Sequence, residues 1–311
     1  MTPVPTTAAP SVGPTYGGNA GMSSQYLEVR GLTVEFDGFK ANTDVDLTLM
    51  QGDLRFLIGP NGAGKTTLID AITGLVPATG SVTKSGVELL GKKTHRIARL
   101  GVGRTFQTAS IFENLTVLQN LDIAAGAGRP WRTLLRRRRS VSTAVEDALE
   151  TIGLTDRRDT PAGSLAHGQK QWLEIGMLLV QNADVLFLDE PVAGMSHEER
   201  EATGQLLRRI GADRTVVVVE HDMEFMRRFA TSVMVLAGGR VLAEGTVAEV
   251  QANPEVQRVY LGTTAAVGGS ADTAAVGGSA DTAAVGGSAD TAASGGPDDT
   301  TSQEDDHVGT R

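Results

Sequence analysis

The chain has 311 residues, 40% of them hydrophobic, and a formal net charge of −9. Residues 263–311 hold eight acids and one arginine, so −7 of that charge lies there and the remaining body sums to about −2, which leaves no overall basic footprint for nucleic acid. The absence of cysteine excludes a disulfide framework or thiolate metal site, and no apolar run approaches the ~18–20 residues that cross a bilayer, so a soluble, cytoplasmic protein is expected.

Residues 1–24 are rich in Pro, Thr, Ala and Gly and show no periodicity. They lack the basic and apolar regions of a secretory signal and read as a disordered leader. The globular body spans residues 25–262. Its first segments, "YLEVRGLTVEF" and "ANTDVDLTLMQGD", alternate like strands. "LRFLIG", "VLFLD" and "TVVVVE" are short unbroken apolar runs, the pattern of parallel strands buried on both faces. From Ile111 to Val180 the pattern is mostly helical, which predicts a helical insert over about residues 108–180. "SVMVLAGGRVLAEG" predicts a hairpin turning at Gly238–Gly239. The expected fold is α/β, with a parallel-sheet core, an antiparallel β part and a helical insert. After residue 262 the unit "TAAVGGSAD" recurs at Thr264, Thr273 and Thr282. One valine per unit is too little to fill a solenoid core, so residues 263–311 are expected to form a disordered acidic tail.

Three motifs carry chemistry. "GPNGAGKT" fits the phosphate-loop pattern, following one buried strand and opening a helix. Gly59, Pro60, Asn61, Gly62, Ala63 and Gly64 would wrap backbone amides around phosphate oxygens, helped by the helix start at Lys65, Thr66 and Thr67. Lys65 would reach the β and γ phosphates, and Thr66 would supply an oxygen to Mg²⁺. "VLFLDEP" ends a strand with two carboxylates. Alone such a pair is usually a helix cap or a solvated turn. Beside a phosphate loop, Asp189 would hold Mg²⁺ and Glu190 would polarise the attacking water. "VVVVEHD" places His221 just past another buried strand, at the sheet edge where ligands of open α/β folds bind. It would contact the γ-phosphate and keep water and Glu190 in register.

These motifs fit many NTPases. The narrowing stretch is "SLAHGQKQW", in which Leu165, Ala166, His167, Gly168 and Gln169 align with the Leu-Ser-Gly-Gly-Gln signature. Here the chain resembles the ATPases of ABC transporters, over about three quarters of its length. The resemblance implies the ABC ATPase fold of the P-loop NTPases, ATP and Mg²⁺ as ligands, and a head-to-tail dimer. In that dimer the signature turn of one subunit binds the γ-phosphate held by the other, again through amides and a helix dipole. It also implies that Gln107, in "GRTFQ", touches Mg²⁺ and that Phe36, in "VEFDGFKA", stacks on adenine, with ordinary core packing as the alternative. "VAGMS", Val192 to Ser196, takes the D-loop place at the dimer seam. Ala166 departs from the family serine and lacks a hydroxyl for the γ-phosphate, a charge-assisted bond worth roughly 1.5–3 kcal/mol.

"RTFQTASIFENLTVLQNL", "DEPVAGMS" and "PEVQRVYLG" resemble the ATPases of branched-chain amino acid importers. "LAHGQKQWLEIGMLL" looks more like the urea-importer branch of that group. The expectation is therefore the ATPase subunit of an importer of a small solute, urea first and branched-chain amino acids as the alternative. It would sit on the cytoplasmic face of the plasma membrane through permease subunits. Its partners would be a second ABC ATPase subunit in a heterodimer and a solute-binding protein, with no nucleic acid. A soluble ABC protein acting on DNA or ribosomes is the rival class, disfavoured because no long coiled-coil insert or second module is visible. The missing Asn-Lys-x-Asp motif disfavours a GTPase. Arg136–Arg139 reads as a solvated helix face, with anionic lipid or the permease as the other reading.

Overall fold

The computed structural model describes residues 25–105, 110–126 and 141–267. The leader, Arg136–Arg139 and the repeats beyond Val267 lie outside the described residues.

Two long strands open the body, β1 (Gln25–Phe36) and β2 (Phe39–Met50), paired antiparallel about an Asp37–Gly38 turn. β3 (Leu54–Ile58) follows and leads into helix α1 (Lys65–Ile72). β4 (Thr79–Lys84) and the short β5 (Val87–Glu88) join the first pair in a four-stranded antiparallel sheet of order β2-β1-β4-β5. Helix α2 (Thr94–Arg99) and the three-residue β6 (Val102–Arg104) come next.

The helical insert contributes α3 (Val117–Gly126), α4 (Thr143–Thr151) and α5 (His167–Val180). The chain then returns to the core through β7 (Val185–Asp189), α6 (His197–Gly211), β8 (Thr215–Val219), α7 (Met223–Phe229), β9 (Ser232–Ala237) and β10 (Arg240–Gly245). It continues into α8 (Val247–Ala252) and α9 (Pro254–Val267). The second sheet has order β10-β9-β3-β8-β7-β6, parallel throughout except for the β9–β10 hairpin.

Every residue of β3, β7 and β8 is buried, as unbroken apolar runs require. Their side chains alternate between two cores with the period of a strand. Phe56, Leu186, Leu188, Val216 and Val218 pack with the insert helices, where Leu121, Leu149 and Leu173 are fully buried. Leu57, Phe187, Val217 and Val219 pack on the opposite face with α1 and the antiparallel sheet, against Leu68, Ile72, Val29 and Leu47. Helix α5 is tied to α6 by Trp172, whose Nε1 donates to Thr203 Oγ1 at 2.8 Å.

The hairpin at Gly238–Gly239 forms where the sequence predicts it, and it closes over the phosphate loop. Gly239 N–H donates to Ala63 O at 3.1 Å, and its own carbonyl accepts from Thr43 N–H at 2.8 Å. A Cβ there would stand 2.5 Å from Ala41 O, so only glycine fits.

One boundary moves. The sequence reading ends the body at residue 262, whereas α9 continues to Val267. A single glycine inside a helix costs only about 1 kcal/mol relative to alanine, and the helix runs on through Gly262, Thr263 and Thr264 to Ala265 and Ala266. Among the described residues, no helix is long and apolar enough to cross a membrane.

Candidate functional site

Register fixes the site. Leu57 of β3 pairs with Val219 of β8, and Val219 pairs with Asp189 of β7, so the three parallel strands end level. Gly59, Glu190 and His221 leave those ends side by side, at the carboxyl edge where open α/β sheets bind ligands. An open pocket of about 360 Å³ lies here, a size in the range of small-ligand sites. Asn61, Gly62, Ala63, Gly64, Lys65, Thr66, Thr67, Asp189 and Glu190 line it, with Phe39 and Ala41 of β2.

Gly64 is the N-cap of α1 and has no side chain to satisfy the first amides of that helix. The amides of the first turn are thus left to an anion, and no acidic residue competes there. Lys65 Nζ folds over the loop and donates to Gly59 O at 2.8 Å and Pro60 O at 3.1 Å. Burial lowers the Lys65 pKa, and the Glu190 and Asp189 carboxylates pull it back up.

Asp189 is 3% exposed. Burial pushes its carboxyl above the usual range, opposed by the Arg104 guanidinium. Arg104 Nη2 stands 3.5 Å from Asp189 Oδ2, while Nη1 of the same group binds Asp70. Asp189 Oδ2 accepts no well-formed hydrogen bond and is sealed from solvent. Asp189 and Thr66 line the same pocket, and a carboxylate beside a hydroxyl is a hard-oxygen donor set that fits Mg²⁺.

Glu190 sits in the left-handed region at φ 48°, an uncommon conformation for a side-chain-bearing residue. Its amide donates to Val219 O at 2.9 Å. His221 Nδ1 lies 3.6 Å from Glu190 Oε1, and both side chains reach solvent.

The other predicted residues fall elsewhere. Phe36 is partly exposed and does not line the pocket. Its cross-strand partner Phe39, 70% exposed, is the aromatic on the pocket wall. Hairpin register decides which of two nearby aromatics faces the loop, and that cannot be read from a motif. Gln107 lies outside the described residues. Leu165–Gln169 do not line the pocket either, so one chain does not bring its own signature onto its own phosphate loop.

The signature turn has a defined local structure. Ala166 is the N-cap of α5, and its amide donates to Gln169 Oε1 at 3.2 Å. That is half of a capping box, since alanine has no oxygen to accept from the Gln169 amide in return. Ala166 and His167 are exposed, whereas Gly168 is buried against Glu199, whose Oε1 would stand 3.0 Å from a Cβ at that position. Glu199 is held by the Ser196 cap of α6. We therefore expect Ala166→Ser to complete the box and stabilise the isolated chain by about 1 kcal/mol, read as a rise of about 2–4 °C in thermal midpoint. A midpoint equal to or below the parental value contradicts this.

Arg104, Phe39 and Glu220 are site residues that the sequence motifs did not single out. Arg104 had a signal: it stands in "GRTFQ", three residues before Gln107.

Comparison with known proteins agrees with this geometry. The ABC transporter family profile matches residues 42–193, and a branched-chain amino acid ATP-binding cassette transporter profile matches residues 240–266. The high-affinity branched-chain amino acid transport ATP-binding protein BraF of Pseudomonas aeruginosa is 36% identical over 253 residues, 78% of this chain and 99% of the relative. LivG of Escherichia coli, named likewise, is also 36% identical with the same coverage. A probable LivG of Archaeoglobus fulgidus is 34% identical, over 76% of this chain and 95% of its own length. Among solved structures, an ATP-binding cassette of an ABC transporter in its ADP conformation superposes with a TM-score of 0.67 at 28% identity, covering 76% of this chain and 99% of that one. A nucleotide-free cassette gives a TM-score of 0.65, also at 28% identity.

Proposed function

Because the chain belongs to the ABC transporter family of ATP-binding proteins, and is therefore an ATPase, we propose that it energises a membrane importer by closing and reopening a head-to-tail dimer. The observation that carries this reading is the division of the site. The phosphate loop, Asp189 and Glu190 share one pocket, while the signature turn of the same chain lies outside it. Each pocket is then completed by the signature of another subunit.

The α1 amides and Lys65 hold the phosphates, and Phe39 or Phe36 packs on the base. Thr66 and Asp189 would hold Mg²⁺, which neutralises phosphate charge when bound. Gln107 is a further proposed ligand. Glu190 takes the proton of the attacking water, and His221 holds Glu190 and the γ-phosphate in line. Ala166, His167, Gly168 and Gln169 present the α5 amides to the nucleotide of the other subunit. Permease subunits would hold the protein at the cytoplasmic face of the membrane, with a solute-binding protein on the far side.

The relatives, which are branched-chain amino acid transport ATP-binding proteins, and the profile over residues 240–266 support a branched-chain amino acid importer, the alternative of the sequence reading, over urea. The urea reading keeps one observation, the run "LAHGQKQWLEIGM" with His167 in the third signature position. Uptake decides between them. Cells lacking the gene should lose high-affinity leucine uptake and keep urea uptake. The reverse pattern assigns the protein to urea.

A further inference from the structure

Glu220 closes β8 and is 2% exposed, yet it is not one of the groups expected to touch ATP. Its two carboxylate oxygens serve two different loops. Oε1 accepts from the Val192 amide at 3.1 Å, in the turn that follows Glu190. Oε2 accepts from the His221 amide at 3.2 Å. Burial pushes the Glu220 carboxyl above the usual range, and the Val192 and His221 amides draw it back. A neutral or apolar side chain would be easier to bury. What the carboxylate adds is two acceptors aimed at two amides.

The turn it holds is the strained one. Glu190 stands at φ 48°, and its own amide is fixed to Val219 O, the residue just before Glu220. Strain of this kind persists only where neighbouring contacts over-determine the backbone. One end of the turn is held by β8 through Val219, and the other by Glu220 through Val192. The same carboxylate fixes the backbone from which His221 reaches Glu190 Oε1 at 3.6 Å.

We propose that Glu220 is a positioning residue for hydrolysis, a clasp that ties the turn of Glu190 to the backbone of His221. The proposal rests on the reading of Glu190 and His221 given above. It makes the two loops one unit, so that displacement of His221 by a nucleotide is felt at Val192 and the segment Ala193–Ser196 beyond it.

The test compares Glu220→Gln, Glu190→Gln and His221→Ala in the assembled transporter, with turnover expressed per folded subunit. An amide offers one acceptor and turns a donor toward the second N–H, so Glu220→Gln breaks one arm of the clasp. Turnover should fall about 10-fold while KM for ATP stays within about two-fold, the pattern of a lost transition-state arrangement. In the His221→Ala background the same substitution should cost less than about two-fold, because coupled residues are not additive. Parental turnover in Glu220→Gln, or effects that multiply fully in the double variant, overturns the clasp. Parental turnover in Glu190→Gln overturns the underlying reading instead, so the two failures are distinct. If Glu220→Gln does not fold, amide hydrogen exchange on the parental chain reads the same contact. Val192 and His221 should then be protected together, and fast exchange at either one overturns the proposal.

Discussion

Replacing Glu190 by glutamine should lower ATP turnover in the assembled transporter by at least about 100-fold, the scale of a lost general base, with ATP affinity kept within about two-fold. Glutamine keeps the size of the side chain and leaves the turn intact, because the bonds that hold it run through the Glu190 backbone, with Val219 O accepting and Ala193 N–H donating. What is lost is the ability to take a proton. The change also removes a negative charge from a pocket that must receive a polyphosphate beside Asp189. The nucleotide-bound dimer should therefore stay closed longer. Single-turnover hydrolysis and nucleotide-dependent dimer lifetime measure the two effects. Turnover at near the parental rate assigns the proton transfer to another group.

The second large effect comes from one methyl group. Gly64 stands at φ +96°, and a Cβ there would lie 2.6 Å from Ala41 O and 2.6 Å from Asn42 Nδ2. Asn42 Nδ2 itself donates to Gly64 O at 3.2 Å, so loop and strand already hold each other. Backbone oxygen cannot swing aside as a side-chain tip can. In Gly64→Ala either β2 or the start of α1 must move, at about 1–3 kcal/mol for the conformation alone. A shift that breaks one charge-assisted bond from an α1 amide to phosphate, worth about 1.5–3 kcal/mol, should lower ATP affinity on the order of 10- to 100-fold, with a thermal midpoint lower by several degrees. Gly62→Ala is the control: it shares a positive φ, but its Cβ would meet nothing within 4 Å. Equal affinities for the Gly64→Ala and parental chains contradict this account.

Much of the fold was legible because its central strands are extreme. "LRFLI", "VLFLD" and "TVVVV" are buried at every position, and no amphipathic surface strand reads that way. The hairpin was legible because Gly238–Gly239 interrupts two apolar runs. Thr79–Arg104 was not legible. β4 is small and polar, β5 has two residues, and β6 has three with a glycine at its centre, so their pairing is set by neighbours and not by pattern. Within the site, the phosphate loop, Asp189, Glu190 and His221 were found because their spacing is fixed by one local turn each. Phe39 needed the register of its own hairpin, and Arg104 and Glu220 needed long-range contacts. A sequence separation of 34 between Asp70 and Arg104 carries no hint that one guanidinium will bridge Asp70 and Asp189. In the sequence Glu220 is only the residue before His221; its bond to Val192 comes from the fold.

ATP hydrolysis in this pocket is proposed to drive solute movement across a membrane. The most direct measurement is accumulation of labelled leucine by sealed vesicles containing the assembled transporter, with nucleotide supplied on the side of this subunit. The account predicts accumulation with ATP, none with ADP, and none with ATP when Glu190 is replaced by glutamine. Accumulation that persists in the Glu190→Gln vesicles, or that proceeds equally with ADP, contradicts it.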